Sequence, residues 1–203
     1  MTRVTAVPVS LSAARASACS WIVIGAIGWT VSFLLYLEYV GQLTGAESLV
    51  SCQLSVVVTR GPNLLSPGGS LLGFSNSIVG IVLFLGPVYA GVTSLASNGG
   101  QRRWYWRTCL VFIAAAYVFV HVLAYRSIYE YGSLCPWCMI VWLVTIPLFW
   151  VTLGWGASRG VWGDGAAAFG RWLGSWAPLA AILDVALIAV LAQLRLDALG
   201  SLL

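Results

Sequence analysis

Five long apolar runs divide the chain, at about residues 19–39, 77–95, 108–125, 135–155 and 176–194. Each approaches the ~20 residues that cross ~30 Å of hydrocarbon as a helix. Helices are expected because backbone groups in lipid must be paired within the segment. Pro87 and Pro147 fall inside the second and fourth runs, where membrane bundles tolerate a kink. Gly and Ala interrupt the runs and permit close interhelical packing. The first run is longer than a signal h-region and continues through Glu38 without a small-residue cleavage site. It therefore reads as a retained helix. The expected fold class is an all-α integral membrane protein with five spans.

Composition agrees with the pattern. Of 203 residues, 60% are hydrophobic and 8% charged, whereas a soluble domain carries about 25% charge. The formal charge of +4 comes from ten Arg against six acids, with no Lys. The Arg do not cluster on one face, so no nucleic acid partner is expected. Five scattered Cys do not suit a disulfide-stapled secreted domain. Eleven Trp and the apolar runs exclude disorder. GxGxxG, GxxxxGKT and HExxH patterns are absent, which leaves nucleotide and zincin readings unsupported.

Arg placement sets an expected topology. Arg3, Arg15, Arg102, Arg103, Arg107, Arg159 and Arg171 share one side of a five-span chain. By the positive-inside rule that side is cytoplasmic. Arg60, Arg126 and Arg195 fall on the other side. The expectation is a multi-pass protein of the inner or plasma membrane, with a cytoplasmic N-terminus. The connection over residues 40–76 is then external, and its length suggests a lid, a re-entrant piece or a surface helix. The Gly- and Trp-rich connection over residues 156–175 would lie on the cytoplasmic membrane surface.

Cys135 and Cys138 carry the clearest chemical signal, as CPWC at the external end of the fourth run. Two intervening residues at a helix N-terminus allow a reversible disulfide. The first thiol is expected to be exposed, with its thiolate favoured by the helix dipole. Pro136 suits the first helical turn, where its missing N–H needs no partner. The pair reads as redox-active, with a purely structural disulfide as the alternative. No metal is expected, since His121 is the only His available as a further ligand. Cys52, in the external connection, is placed to exchange with Cys135 or to be an unreactive buried thiol. Cys19 and Cys109, near the cytoplasmic ends of their spans, read as packing thiols. Asp184, inside the fifth span, should face protein; with no relay partner visible it reads as a packing or interface residue.

Three segments add a family resemblance. Residues 50–52 read VSC, residues 73–80 read GFSNSIVG, and residues 134–142 read LCPWCMIVW. In this order and spacing the chain resembles the vitamin K epoxide reductase family, particularly its bacterial quinone-reducing members, over about residues 20–151. The resemblance implies a four-helix bundle around a quinone, with a fifth transmembrane helix outside it. It implies a bundle over residues 19–155 with the external loop 40–76, flanked by a cytoplasmic segment 1–18. The connection 156–175 and a fifth span with external tail, 176–203, follow. Cys135 and Cys138 correspond to the active disulfide. Cys138 would be nearest the quinone, attacking it or forming its charge-transfer adduct, and Cys135 would exchange with the loop. Asn76 would hydrogen-bond a quinone carbonyl. Trp142 stands where vertebrate relatives have a Tyr that donates to the ring carbonyl, and its indole N–H is the corresponding donor, with core packing as the alternative.

The chain departs from the family pattern in its loop. The family has two shuttle Cys six to eight residues apart. Cys52 matches the second, but Thr44 and Ala46 stand where the first would be, and Val58 replaces an expected small hydroxyl residue. About nine residues follow Leu194, so a thioredoxin-like electron donor is expected to be a separate extracytoplasmic protein. Two functions compete. One is a membrane thiol–quinone oxidoreductase, using menaquinone or ubiquinone and supporting disulfide formation. The other is a non-catalytic accessory or assembly subunit that binds a partner of a membrane complex, lipid or quinone. A transporter is disfavoured by the lack of paired repeats and by the few intramembrane charges.

Overall fold

A computed structural model of the protein describes residues 11–45, 69–70, 73–97, 102–158, 160–163, 165 and 167–197. Cys52 lies outside the described residues, as does most of the 40–76 connection. Five α-helices account for nearly all of the rest: α1 Leu11–Thr44, α2 Asn76–Ala96, α3 Arg103–Arg126, α4 Pro136–Ser158 and α5 Ala167–Leu196. A π-helical turn, Ser127–Tyr131, extends α3. All five helices are long and apolar enough to cross a membrane. The protein is thus an all-α, multi-helix membrane protein. Side chains such as Val118, Val122, Ile182, Leu183 and Leu187 face outward and exposed. In hydrocarbon that exposure carries no penalty.

Two close pairings hold the bundle. α1 packs on α2 and α4 on α5 along most of their lengths, while α2 and α3 touch little. Small residues allow the approach. A Cβ on Gly91 would fall 2.6 Å from the Ala18 carbonyl oxygen, and one on Gly170 would fall 2.1 Å from the Ala157 carbonyl carbon. The α4–α5 contact explains why α5 begins at Ala167 rather than near residue 176. Gly170 and Gly174 of the expected surface connection are helical residues seated against Ala157 and Gly154. α1 and α3 likewise extend past their apolar runs, through turns that carry Arg15 in α1 and Arg103, Arg107 and Arg126 in α3.

At the end of the bundle that carries Arg103, Trp21, Trp106 and Trp155 cluster with ring centroids 4.1–4.8 Å apart. The Trp21 indole N–H donates to Thr152 Oγ1 at 3.2 Å, joining α1 to α4. At the opposite end Val31 and Leu35 of α1 pack against Cys135. Between α3, α4 and α5 runs a third apolar core that includes Val120, Trp142, Ile146 and Ala181.

Candidate functional site

The CPWC segment is positioned by the turn before it. Gly132 adopts φ 61° and ends the π-helical turn. This left-handed conformation is easy for Gly and strained for other residues. Ser127 Oγ donates to the Ser133 carbonyl at 2.5 Å and the Ser133 N–H to the Ser127 carbonyl at 3.3 Å. The chain therefore doubles back tightly into α4. The Cys135 carbonyl accepts the Met139 N–H at 3.0 Å, which makes Cys135 the cap residue and Pro136 the first helical residue.

The expectation of an exposed first thiol is corrected. Cys135 is 1% exposed, because the α1 stripe of Val31 and Leu35 covers it. Cys138, one turn inside the helix, is the half-buried member of the pair. The two thiols are in hydrogen-bonding contact and near disulfide distance.

Cys138 lines a cavity of about 550 Å³. Asn76, the first residue of α2, and Trp142, one turn beyond Cys138, lie on the same wall system. Trp142 also belongs to the apolar core between α3, α4 and α5, so the packing and lining roles coincide. The Asn76 N–H donates to the Gly69 carbonyl at 2.8 Å, tying the start of α2 to the turn before it. From this polar end the cavity continues past Phe84 and Leu148 to Tyr105 and Cys109 near the other end of the bundle. It occupies the cleft left where α2 and α3 part. A long, mostly apolar cleft with an amide, a thiol and an indole at one end suits an elongated apolar ligand with a polar head.

The sequence reading missed two groups. Arg126 and Tyr131 also line the polar end of the cavity. Arg126 donates to Glu130 at 2.6 Å and lies over the Tyr131 ring at 5.6 Å. The i,i+4 spacing of Arg126 and Glu130 was the available signal. The second group corrects the view of Asp184 as having no partner. Tyr117 Oη and the Trp150 N–H donate to its carboxylate at 2.5 and 3.0 Å, and His121 Nε2 lies 3.0 Å away. These side chains lie outside the cavity lining, where α3, α4 and α5 meet. His121 and Tyr117 are one turn apart, but nothing in the sequence tied either to a residue more than sixty positions on.

Cys19 is exposed and Cys109 half-buried, each far along its helix from Cys135. No group of three or more His, Cys, Asp or Glu able to hold a metal ion occurs among the described residues. The sequence model of the Vitamin K epoxide reductase family matches residues 20–153. No curated protein and no solved structure matches the chain.

Proposed function

The chain belongs to the vitamin K epoxide reductase family, and from that premise we propose that it is a membrane thiol–quinone oxidoreductase. The observation that carries this reading is the division of labour within CPWC. Cys135 is enclosed against α1, while Cys138 lies on the wall of an apolar cavity that also holds Asn76. A bound quinone supplies an acceptor for two electrons and two protons.

Cys135 exchanges with an external thiol, and Cys138 is released facing the cavity. Cys138 then passes electrons to the ring as the pair closes to a disulfide. The Asn76 amide and the Trp142 indole are the donors that orient a ring carbonyl and bind it more tightly as negative charge develops. The apolar cleft toward Tyr105 takes the tail of menaquinone or ubiquinone. Electrons come from a separate thioredoxin-like protein outside the cytoplasm, with Cys52 as the intermediate thiol. The CPWC end faces outward and the Arg-rich end faces the cytoplasm, in the inner or plasma membrane. Lipid covers the exposed apolar faces.

The test is turnover of the purified chain with a dithiol and a soluble quinone analogue. Activity that is lost in Cys138→Ala supports the oxidoreductase. The absence of one loop thiol favours the second reading, an accessory subunit. An intact fold with a reducible Cys135–Cys138 pair but no turnover would select it.

A further inference from the structure

Glu38 is 7% exposed, and among the described residues its Oε2 has no hydrogen-bond partner. A buried carboxyl oxygen without a partner is costly and calls for a reason. Its position supplies one. Glu38 continues the α1 stripe of Val31 and Leu35, the two residues that cover Cys135. α1 and α4 run antiparallel, with Trp21 bonded to Thr152 at one end and Leu35 packed on Cys135 at the other. One turn beyond Leu35, Glu38 is level with the start of α4. Helical side chains lean toward the helix N-terminus, so the Glu38 carboxyl leans back toward Leu35, which packs on Cys135. Gln42, the next residue outward on the stripe, also leaves its carbonyl oxygen unpartnered among the described residues. Two unused acceptors thus lie at the outer end of the α1 stripe that covers Cys135.

We infer that Glu38 is the proton acceptor and donor for thiol exchange at Cys135. The inference rests on the oxidoreductase reading. The incoming thiol gives its proton to the Glu38 carboxylate as its sulfur bonds to Cys135. The Cys135–Cys138 bond breaks, and Cys138 leaves as a thiolate. The second thiol of the donor then attacks the first donor sulfur, closing the donor disulfide. Cys135 leaves as a thiolate and takes the proton held by Glu38. The second donor proton passes through water to Cys138. One donor dithiol is oxidised and one CPWC disulfide reduced. α1 packs on α2 and α4. Among their described residues the titratable groups near this end are Cys135 and Cys138, and α2 contributes only Tyr89, far toward the other end. On α1 itself Tyr39 is adjacent, and it packs in the same cluster as Cys135.

The test uses the full chain, oxidised and in lipid nanodiscs, with dithiothreitol as the donor. Reduction of the Cys135–Cys138 pair is followed by quenching, alkylation and mass mapping over a range of pH. Glu38→Gln is expected to slow reduction roughly 10²-fold and to remove one ionisation from the pH profile. Glu38→Asp should keep that ionisation and recover part of the rate. Wild-type rate and profile in Glu38→Gln would overturn the inference. So would loss of the ionisation in a folded Glu38→Asp, which carries the test alone if Glu38→Gln does not fold. In a separate arm the prereduced proteins are mixed with the quinone analogue, and Glu38→Gln should match wild type within about twofold. Failure of wild type in that arm overturns the quinone reading, while the exchange arm still decides the role of Glu38.

Discussion

The Asp184 carboxylate of α5 lies 3.0 Å from Nε2 of His121 on α3. The other ring nitrogen of His121 faces its own-helix Tyr117 carbonyl at 2.9 Å. Both ring nitrogens of His121 therefore lie within hydrogen-bonding distance of oxygens. A carboxyl inside a span is costly unless it faces protein partners, and Asp184 has three of them. With Tyr117 and Trp150 donating as well, Asp184 fastens the fifth helix to the bundle.

Asp184→Ala should loosen that attachment. Interhelical hydrogen bonds in membranes contribute about 0.6 kcal/mol each and at most about 1.7. Removal of one acceptor that serves three donors is expected to cost ~1–3 kcal/mol. Unfolding in detergent measures it. Quinone reduction should remain, because none of the four residues lines the cavity.

Gly170→Leu should separate α4 from α5. Its Cβ would meet Ala157 backbone at 2.1 Å, and backbone cannot swing aside as a side chain can. A loss of about 1–3 kcal/mol is expected, as for other overpacked sites. Gly41→Ala is the control, since a Cβ there meets nothing within 4 Å. Helix propensity should make it neutral or stabilising by up to ~1 kcal/mol. Thermal unfolding of the two variants compares them.

Asn76→Ala should weaken quinone reduction with little effect on the fold. The side chain lines the polar end of the cavity, opposite the long apolar cleft. Loss of a hydrogen bond that leaves a buried carbonyl unpaired costs ~1–3 kcal/mol. The expected result is roughly a 5- to 150-fold fall in kcat/KM for the quinone. Initial rates at subsaturating quinone measure it, and unchanged rates would remove Asn76 from the site.

A Cys52–Cys135 mixed disulfide should accumulate in Cys138→Ala under partial reduction. Without Cys138, Cys135 has no partner within CPWC to displace the loop thiol. Peptide mass mapping detects the linkage. Cys52→Ala should retain turnover with a small dithiol that reaches Cys135 without the loop. Equal loss of turnover in Cys52→Ala and Cys138→Ala would contradict this route.

The number of spans and the start of α4 follow from sequence alone, because both are local properties. Hydrocarbon forces each segment to pair its own backbone, so an apolar run of sufficient length specifies a helix wherever it lies. Pro136 suits the first helical turn, so CPWC announces its place at a helix N-terminus from four residues. The tertiary structure decided which thiol faces what. Cys135 is enclosed because Val31 and Leu35, about a hundred positions earlier, lie across it. Cys138 meets the cavity because α2 and α3 part beside it. The partners of Asp184 and the burial of Glu38 have the same origin. Periodicity along one helix specifies which face is apolar, but the contacts made by that face depend on the register of its neighbours, set by pairings such as Trp21 with Thr152 and Gly170 with Ala157.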